Sequence, residues 1–227
     1  MVYRDPPRFG LRLITPPTEE PITLGEAMEH LNIPLDVRFR DGWINRNIKT
    51  AREWCEGWLG RTLAPQTLEL SFGGQTASTA VPSYWQPLAL NPWVESGSVI
   101  ELPMGPALSV TSVTYFDEAG ALQTMDAADY VLDDGLVVPT ISLASGASWP
   151  AIQARRNAIQ IRYLAGYTFP DDSPSLFPLP WALRSAILLA LGDLYENREN
   201  SSPVQLENIP LSAQSLMEPY RLRLGMA

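Results

Sequence analysis

Side-chain catalysis needs a nucleophile, a proton carrier or a set of metal ligands, and this 227-residue chain supplies few of any. His30 is its one histidine, Cys55 its one cysteine and Lys49 its one lysine. A Ser-His-Asp triad would have to use His30, and no G-x-S-x-G turn is present to display a serine. A metal site of the common kind needs a second imidazole or several thiolates. Neither G-x-x-x-x-G-K-[ST] nor G-x-G-x-x-G occurs, so the usual backbone cradles for nucleotide phosphates are missing. Carboxylates are the remaining stock. Asp133 with Asp134, or Glu95 with Glu101, could serve glycoside hydrolysis or hold Ca²⁺. Adjacent acids beside Gly135 are first of all the signature of a turn. The residues therefore point to a non-enzymatic protein with no catalytic, cofactor-binding or metal-ligating side chains, and no cofactor, that works through its surfaces.

The candidate surface residues are aromatic or lie at element ends. Of seven tryptophans, Trp43, Trp54, Trp58 and Trp181 fall on predicted helices, where core packing is expected. Trp85, Trp93 and Trp149 fall in loops and are candidate interface anchors. The polar tip Glu196, Asn197 and Arg198 and the C-terminal pair Tyr220 and Arg221 complete the set.

The elements that must position these residues follow from pattern. Residues 1–21 read as an extended proline-rich arm, because Pro6, Pro7, Pro16, Pro17 and Pro21 forbid helix interior. Either a disordered leader or an arm that orders against a neighbouring subunit fits them. Thr23 and Glu26 form a capping-box signature for a short helix to about Leu31. Ile44, Ile48, Ala51, Cys55 and Trp58 recur at alternating spacings of four and three, one face of a second helix that Gly60 should end. On that apolar stripe Cys55 reads as an inert buried thiol.

From Pro65 to Gly166 the period becomes that of strands. Leu68, Leu70 and Phe72 alternate, as do Ile159, Ile161 and Tyr163, while Val110, Val113 and Tyr115 do so less strictly. Asp117 to Gly120 and Asp133 to Gly135 read as hairpin turns. Helix returns after Pro180, apolar nearly all round and so central. Ser212 is expected to cap a last short helix that Pro219 limits. The fold class is α+β: a small bundle of about four helices interrupted by an antiparallel β insertion. The expected division is an arm at 1–21, a helical domain at 22–61 and 178–200, an acidic β insertion at 62–167, and a C-terminal loop and short helix at 201–227. The longest apolar run, Ala186 to Leu191, is too short to span a bilayer, and Met1 to Pro7 has no apolar stretch of the signal-peptide kind. No membrane association and no export are expected.

The net charge of −9 is concentrated. Residues 1–61 and 155–227 each balance, whereas 62–154 hold nine acids and no base. Such a stretch is a poor candidate for gripping nucleic acid, which needs Lys and Arg against phosphates.

Read in order, Ile22 to Ala27 with His30-Leu31, Ala51 to Glu56, Gly60 to Leu63, Gln66-Thr67, Ser109 to Tyr115, Tyr130, Ser148 to Pro150, Ile161 to Tyr167, Pro180, Ala182-Leu183, Ala186 to Leu189, Tyr195 to Glu199 and Pro219 to Arg221 resemble the head–tail connector (adaptor, or head completion) family of tailed bacteriophages and related particles. The resemblance runs from about Ile22 to Arg221, and the arm before it and the loop from Gly73 to Ser98 depart from it. It implies a homo-oligomeric ring, usually twelvefold, docked under the portal protein and offering a platform to a stopper or tail-completion protein. Double-stranded DNA would pass through the channel without sequence-specific binding. The location implied is the virion neck, after synthesis in the bacterial host cytoplasm. Another neck protein, such as a stopper or terminator, and a carbohydrate-binding or hydrolytic β module are the alternatives.

Overall fold

The computed structural model describes residues 10–34, 40–73, 99–135, 138–153, 155–169, 177–197 and 211–222. Among the described residues, four helices and eight strands in antiparallel sheets make an α+β fold. It divides into two units, each discontinuous in sequence. Unit one comprises Met1–Pro16 and Gln66–Ala165, and unit two comprises Pro17–Pro65 and Gly166–Ala227.

Unit two is the helical one. In α1 (Leu24–His30) the Thr23 hydroxyl accepts from the Glu26 N–H, and the Glu26 carboxylate accepts from the Thr23 N–H, the reciprocal cap expected. α2 (Asp41–Leu59) buries Ile44, Ile48, Ala51, Cys55 and Leu59, and ends at Gly60, whose φ of 66° is left-handed and costs glycine nothing. α3 (Trp181–Glu196) buries Leu183, Ala186, Ile187, Ala190 and Leu191 and half-buries Leu188, Leu189 and Leu194, so it is packed on more than one side. α4 (Leu211–Met217) contributes Ala213 and Met217 to the same core, and a 3-10 turn, Glu218–Tyr220, carries Pro219. Ser212 lies inside α4 and does not cap it, because the helix already includes Leu211. Gly166 adopts a φ of +130°, and a Cβ there would stand 2.4 Å from the Ala64 carbonyl oxygen, so only glycine fits where the chain returns to this unit.

Unit one is the sheet unit. β1 (Gly10–Thr15), β2 (Gln66–Phe72), β8 (Ile159–Ala165), β4 (Ala107–Phe116) and β5 (Leu122–Thr124) form a five-stranded sheet in that order. β3 (Ile100–Glu101), β7 (Thr140–Leu143) and β6 (Tyr130–Asp133) form a second, three-stranded sheet. Leu68, Leu70, Phe72, Ile159, Ile161 and Tyr163 point into a core shared with Ile100, Leu102 and Ile141. The loose alternation in β4 has a cause: its register against β8 shifts between Val110 and Ser112. Asp117 closes the β4–β5 hairpin by accepting the Ala121 N–H at 2.8 Å, and Asp133 accepts the Gly135 N–H at 3.1 Å. Within the segment read as an arm, Gly10–Thr15 instead form β1, because Leu11 and Leu13 alternate with Arg12 and pair with β2.

Candidate interaction surfaces

Unit two is organised around a buried ion group. Arg52, on α2, donates from Nε to Glu20 at 2.7 Å and from Nη1 to Glu56 at 2.8 Å. Glu56 Oε1 in turn accepts the N–H of Leu63 at 2.7 Å, so one side chain ties the helix end to the segment leaving it. Burial pushes the Glu56 carboxyl above its ordinary value, and Arg52 and the backbone donors only partly oppose this. The segment entering α1, the second helix and its exit are therefore held by charge, in a place where breaking one pair leaves another charge stranded.

A second polar group shapes the surface of the same unit. Arg184 of α3 pairs with Glu26 and lies with its guanidinium 5.3 Å from the Trp181 ring centre. Burial raises the Glu26 carboxyl, but hydrogen bonds from Thr23 and Arg184 together carry it below its ordinary value. Trp181 is 73% exposed, which corrects its assignment to the core. It sits at the first position of α3, where the apolar stripe has not yet begun to face inward. Trp43, Trp54 and Trp58 are half-buried against the helical core, as expected, with Trp54 and Trp58 stacked at 6.4 Å. Arg221 covers Trp58 at 4.3 Å, and the Tyr220 carbonyl accepts from Arg61 at 2.7 Å. Glu196 and Asn197 are exposed at the end of α3, with Asn197 donating to Asp193 at 2.9 Å. Arg198, Trp85 and Trp93 lie outside the described residues.

In unit one, Trp149 is half-buried against the sheet core. Glu69, one of the nine acids, is buried and not a surface charge. Arg12 and Arg162, both contributed by the balanced flanks of the sequence, meet it at 2.8 and 2.6 Å. Glu118, Asp126, Asp129 and Asp133 remain exposed, and Asp126 also caps the 3-10 turn Ala127–Asp129. Counted by unit, the charge is spread: six bases against ten acids in unit one, −4, and ten against fifteen in unit two, −5.

His30 is exposed on α1, whereas Cys55 is buried and its thiol is pushed up to about 12 by burial and then by the Glu56 charge. Glu101 is exposed, and Glu95 lies outside the described residues. Among the described residues no group of three or more His, Cys, Asp or Glu could hold a metal ion, and no helix is long and apolar enough to cross a membrane.

No family model and no curated protein matches the chain. Solved structures do. A chain of the neck of an empty GTA particle, computed with C6 symmetry, superposes with a TM-score of 0.69 at 22% identity, over 96% of this chain and 98% of that one. A chain from the virion of a native gene transfer agent (GTA) particle gives 0.68 at 22% identity, over 96% and 97%. A chain of the neck of the native GTA particle, computed with C12 symmetry, gives 0.66 at 21% identity, over 96% and 98%. At these identities the likeness is one of fold, and it extends over both units.

Proposed function

We propose that this chain is a structural neck subunit of a tailed phage or phage-like particle, and within the neck the adaptor that connects the portal to the tail side. The observation that carries this is the whole-chain fold likeness to chains from GTA necks, which takes in the helical unit and the sheet unit together. In this reading the subunits form a ring under the portal, twelvefold where the portal is twelvefold, and the ring offers a platform to a stopper or tail-completion protein. The C6 and C12 symmetries of the similar necks support a ring. The exposed acids Glu118, Asp126, Asp129 and Asp133 support a protein that DNA passes without being held, since phosphates are gripped by bases. The work is done by surfaces, in the virion neck, after synthesis in the host cytoplasm.

The test is a mass determination of the purified chain, alone and with its cognate portal, by native mass spectrometry. A ring-sized gain in mass on mixing is the expected result and gives the copy number. A chain that gains no mass with the portal at micromolar concentration overturns the adaptor assignment and moves the weight to a stopper or terminator.

A further inference from the structure

Unit one presents two outer sheet faces of opposite sign. In the five-stranded sheet Leu68, Leu70, Ile159, Ile161 and Tyr163 face the core, so the residues that alternate with them face away from it. Arg12, Glu69 and Arg162 are partners across β1, β2 and β8 and form one row on that outer face. Glu69 is buried beneath the arginines, and each donates to it from a single nitrogen. Arg12 keeps 68% of its side chain exposed and Arg162 47%. The strands of this sheet carry no other charged residue, so two guanidiniums over one carboxylate leave the face positive.

In the three-stranded sheet Ile100, Leu132 and Ile141 face the same core. Glu101, Thr140 and Asp133 are partners on the opposite face, which Val131 shares two residues from Asp133. Glu101 and Asp133 are exposed, and these three strands contain no Lys or Arg, so this face is negative. Both outer faces point away from one core and therefore away from each other, and a single copy cannot bring them together. The β1 edge is less suited to docking, because the bulge between Leu13 and Thr15 guards it against strand addition.

We propose that the Arg12–Arg162 face of one copy docks on the Glu101–Asp133 face of the next. Charge complementarity selects a second copy as the occupant: like faces set arginines or carboxylates together, whereas unlike faces pair them. Duplex DNA fits less well, since a grip on phosphates takes several bases and this face offers two that already share Glu69. The contact is heterologous, each copy giving its basic face to one neighbour and its acidic face to the other. Repeated by a fixed rotation, such a contact closes a ring. The inference rests on the ring reading above and names the contact that propagates it.

Ser112→Cys stands on the basic face as the β4 partner of Arg162, and Val131→Cys stands on the acidic face. They are made separately and together in the full chain and treated with a flexible bis-maleimide. The wild type is the blank, since its one thiol, Cys55, is buried. Each single variant alone gives no dimer, their mixture gives cross-linked dimers, and the chain with both cysteines gives a ladder of multimers. Glu101→Arg with Asp133→Asn, added to the Val131→Cys chain, turns the acidic face positive while keeping an acceptor for the Gly135 N–H, and lowers the dimer yield about tenfold. Dimers from one variant alone at the yield of the mixture, no dimers from the mixture, or a yield indifferent to the charge change overturns the proposal. A labelled DNA duplex retained by the wild type and released by Arg12→Gln, without cross-links, also overturns it and gives the basic face to DNA. The wild-type mass with the portal is read in parallel. Multimers there without cross-links here sink the face contact and leave the ring; cross-links here without multimers there keep the contact and sink the ring.

Discussion

Replacing Arg52 by Met removes the cation at the centre of unit two and keeps most of the side-chain bulk. Glu56 is then a buried carboxylate with no positive partner, still accepting the Leu63 N–H. Glu20 and Glu53 lose less, because their side chains are 18% and 69% exposed and water can replace the guanidinium. Stranding a buried charge in this way costs about 3–5 kcal/mol. At a urea slope of roughly 1.5 kcal/mol per molar, a loss of ~3 kcal/mol moves the unfolding midpoint down by about 2 M. The half-buried Trp43, Trp54 and Trp58 report the transition by fluorescence. The sign with pH is fixed by Glu56. Its carboxyl is already raised by burial with Arg52 in place, and losing Arg52 raises it further. An acid raised in the fold binds a proton that the unfolded chain releases above its ordinary 4.5, so its penalty is absent below that value and grows as pH rises toward the folded one. The deficit of Arg52→Met against wild type is therefore larger at pH 8 than at pH 5.5. Glu26, lowered in the fold, acts with the opposite sign but is common to both proteins and cancels in the difference. Adding Glu56→Gln, which keeps an acceptor for Leu63 and removes the charge, should recover at least half the loss. A deficit under about 1 kcal/mol at pH 8, or one that does not shrink at pH 5.5, would refute the reasoning.

Two further substitutions separate structure from contact. Gly166→Ala places a methyl 2.4 Å from the Ala64 carbonyl oxygen at a φ of +130°, and should cost about 2 kcal/mol or more; an unchanged melting temperature would remove the claim that only glycine fits there. Trp181→Ala should alter stability by no more than about 0.5 kcal/mol because the ring is exposed, and a larger loss in urea unfolding would show that its contact with Arg184 holds the start of α3.

Local chemistry in this fold was legible from sequence. The Thr23–Glu26 cap, the α2 stripe with its Gly60 stop, the β8 alternation and the Asp117 and Asp133 turns each depend on residues within a few positions. What escaped depends on distant partners. Glu69 reads as one more acid in a base-free stretch, yet its two arginines come from 57 and 93 residues away. Arg52 reads as a polar position on an amphipathic helix until Glu20, 32 residues earlier, closes on it. β1 was hidden because proline flanks masked a six-residue alternation, and an edge strand needs only one partner to form. Trp181 is expected in the core because it falls on a predicted helix, although Pro180 before it marks a first turn, where a side chain can still face water.

The entry and exit of the long β segment have a consequence for how the protein is made. Gln66 and Ala165 are partners across β2 and β8, so the chain leaves the helical unit and rejoins it through two facing residues, about 5 Å apart at their Cα atoms. Unit one behaves topologically as a cassette, and cutting out 66–165 together with 1–16 would leave ends that one or two residues can join. During synthesis the order is less convenient. α1 and α2 emerge early, but α3 and α4, which complete their core, follow only after the whole cassette, a delay of about 5–20 s at ordinary elongation rates. For that interval Ile44, Ile48 and Leu59 have no permanent cover, which makes the nascent chain, and not the finished protein, the form most dependent on chaperones.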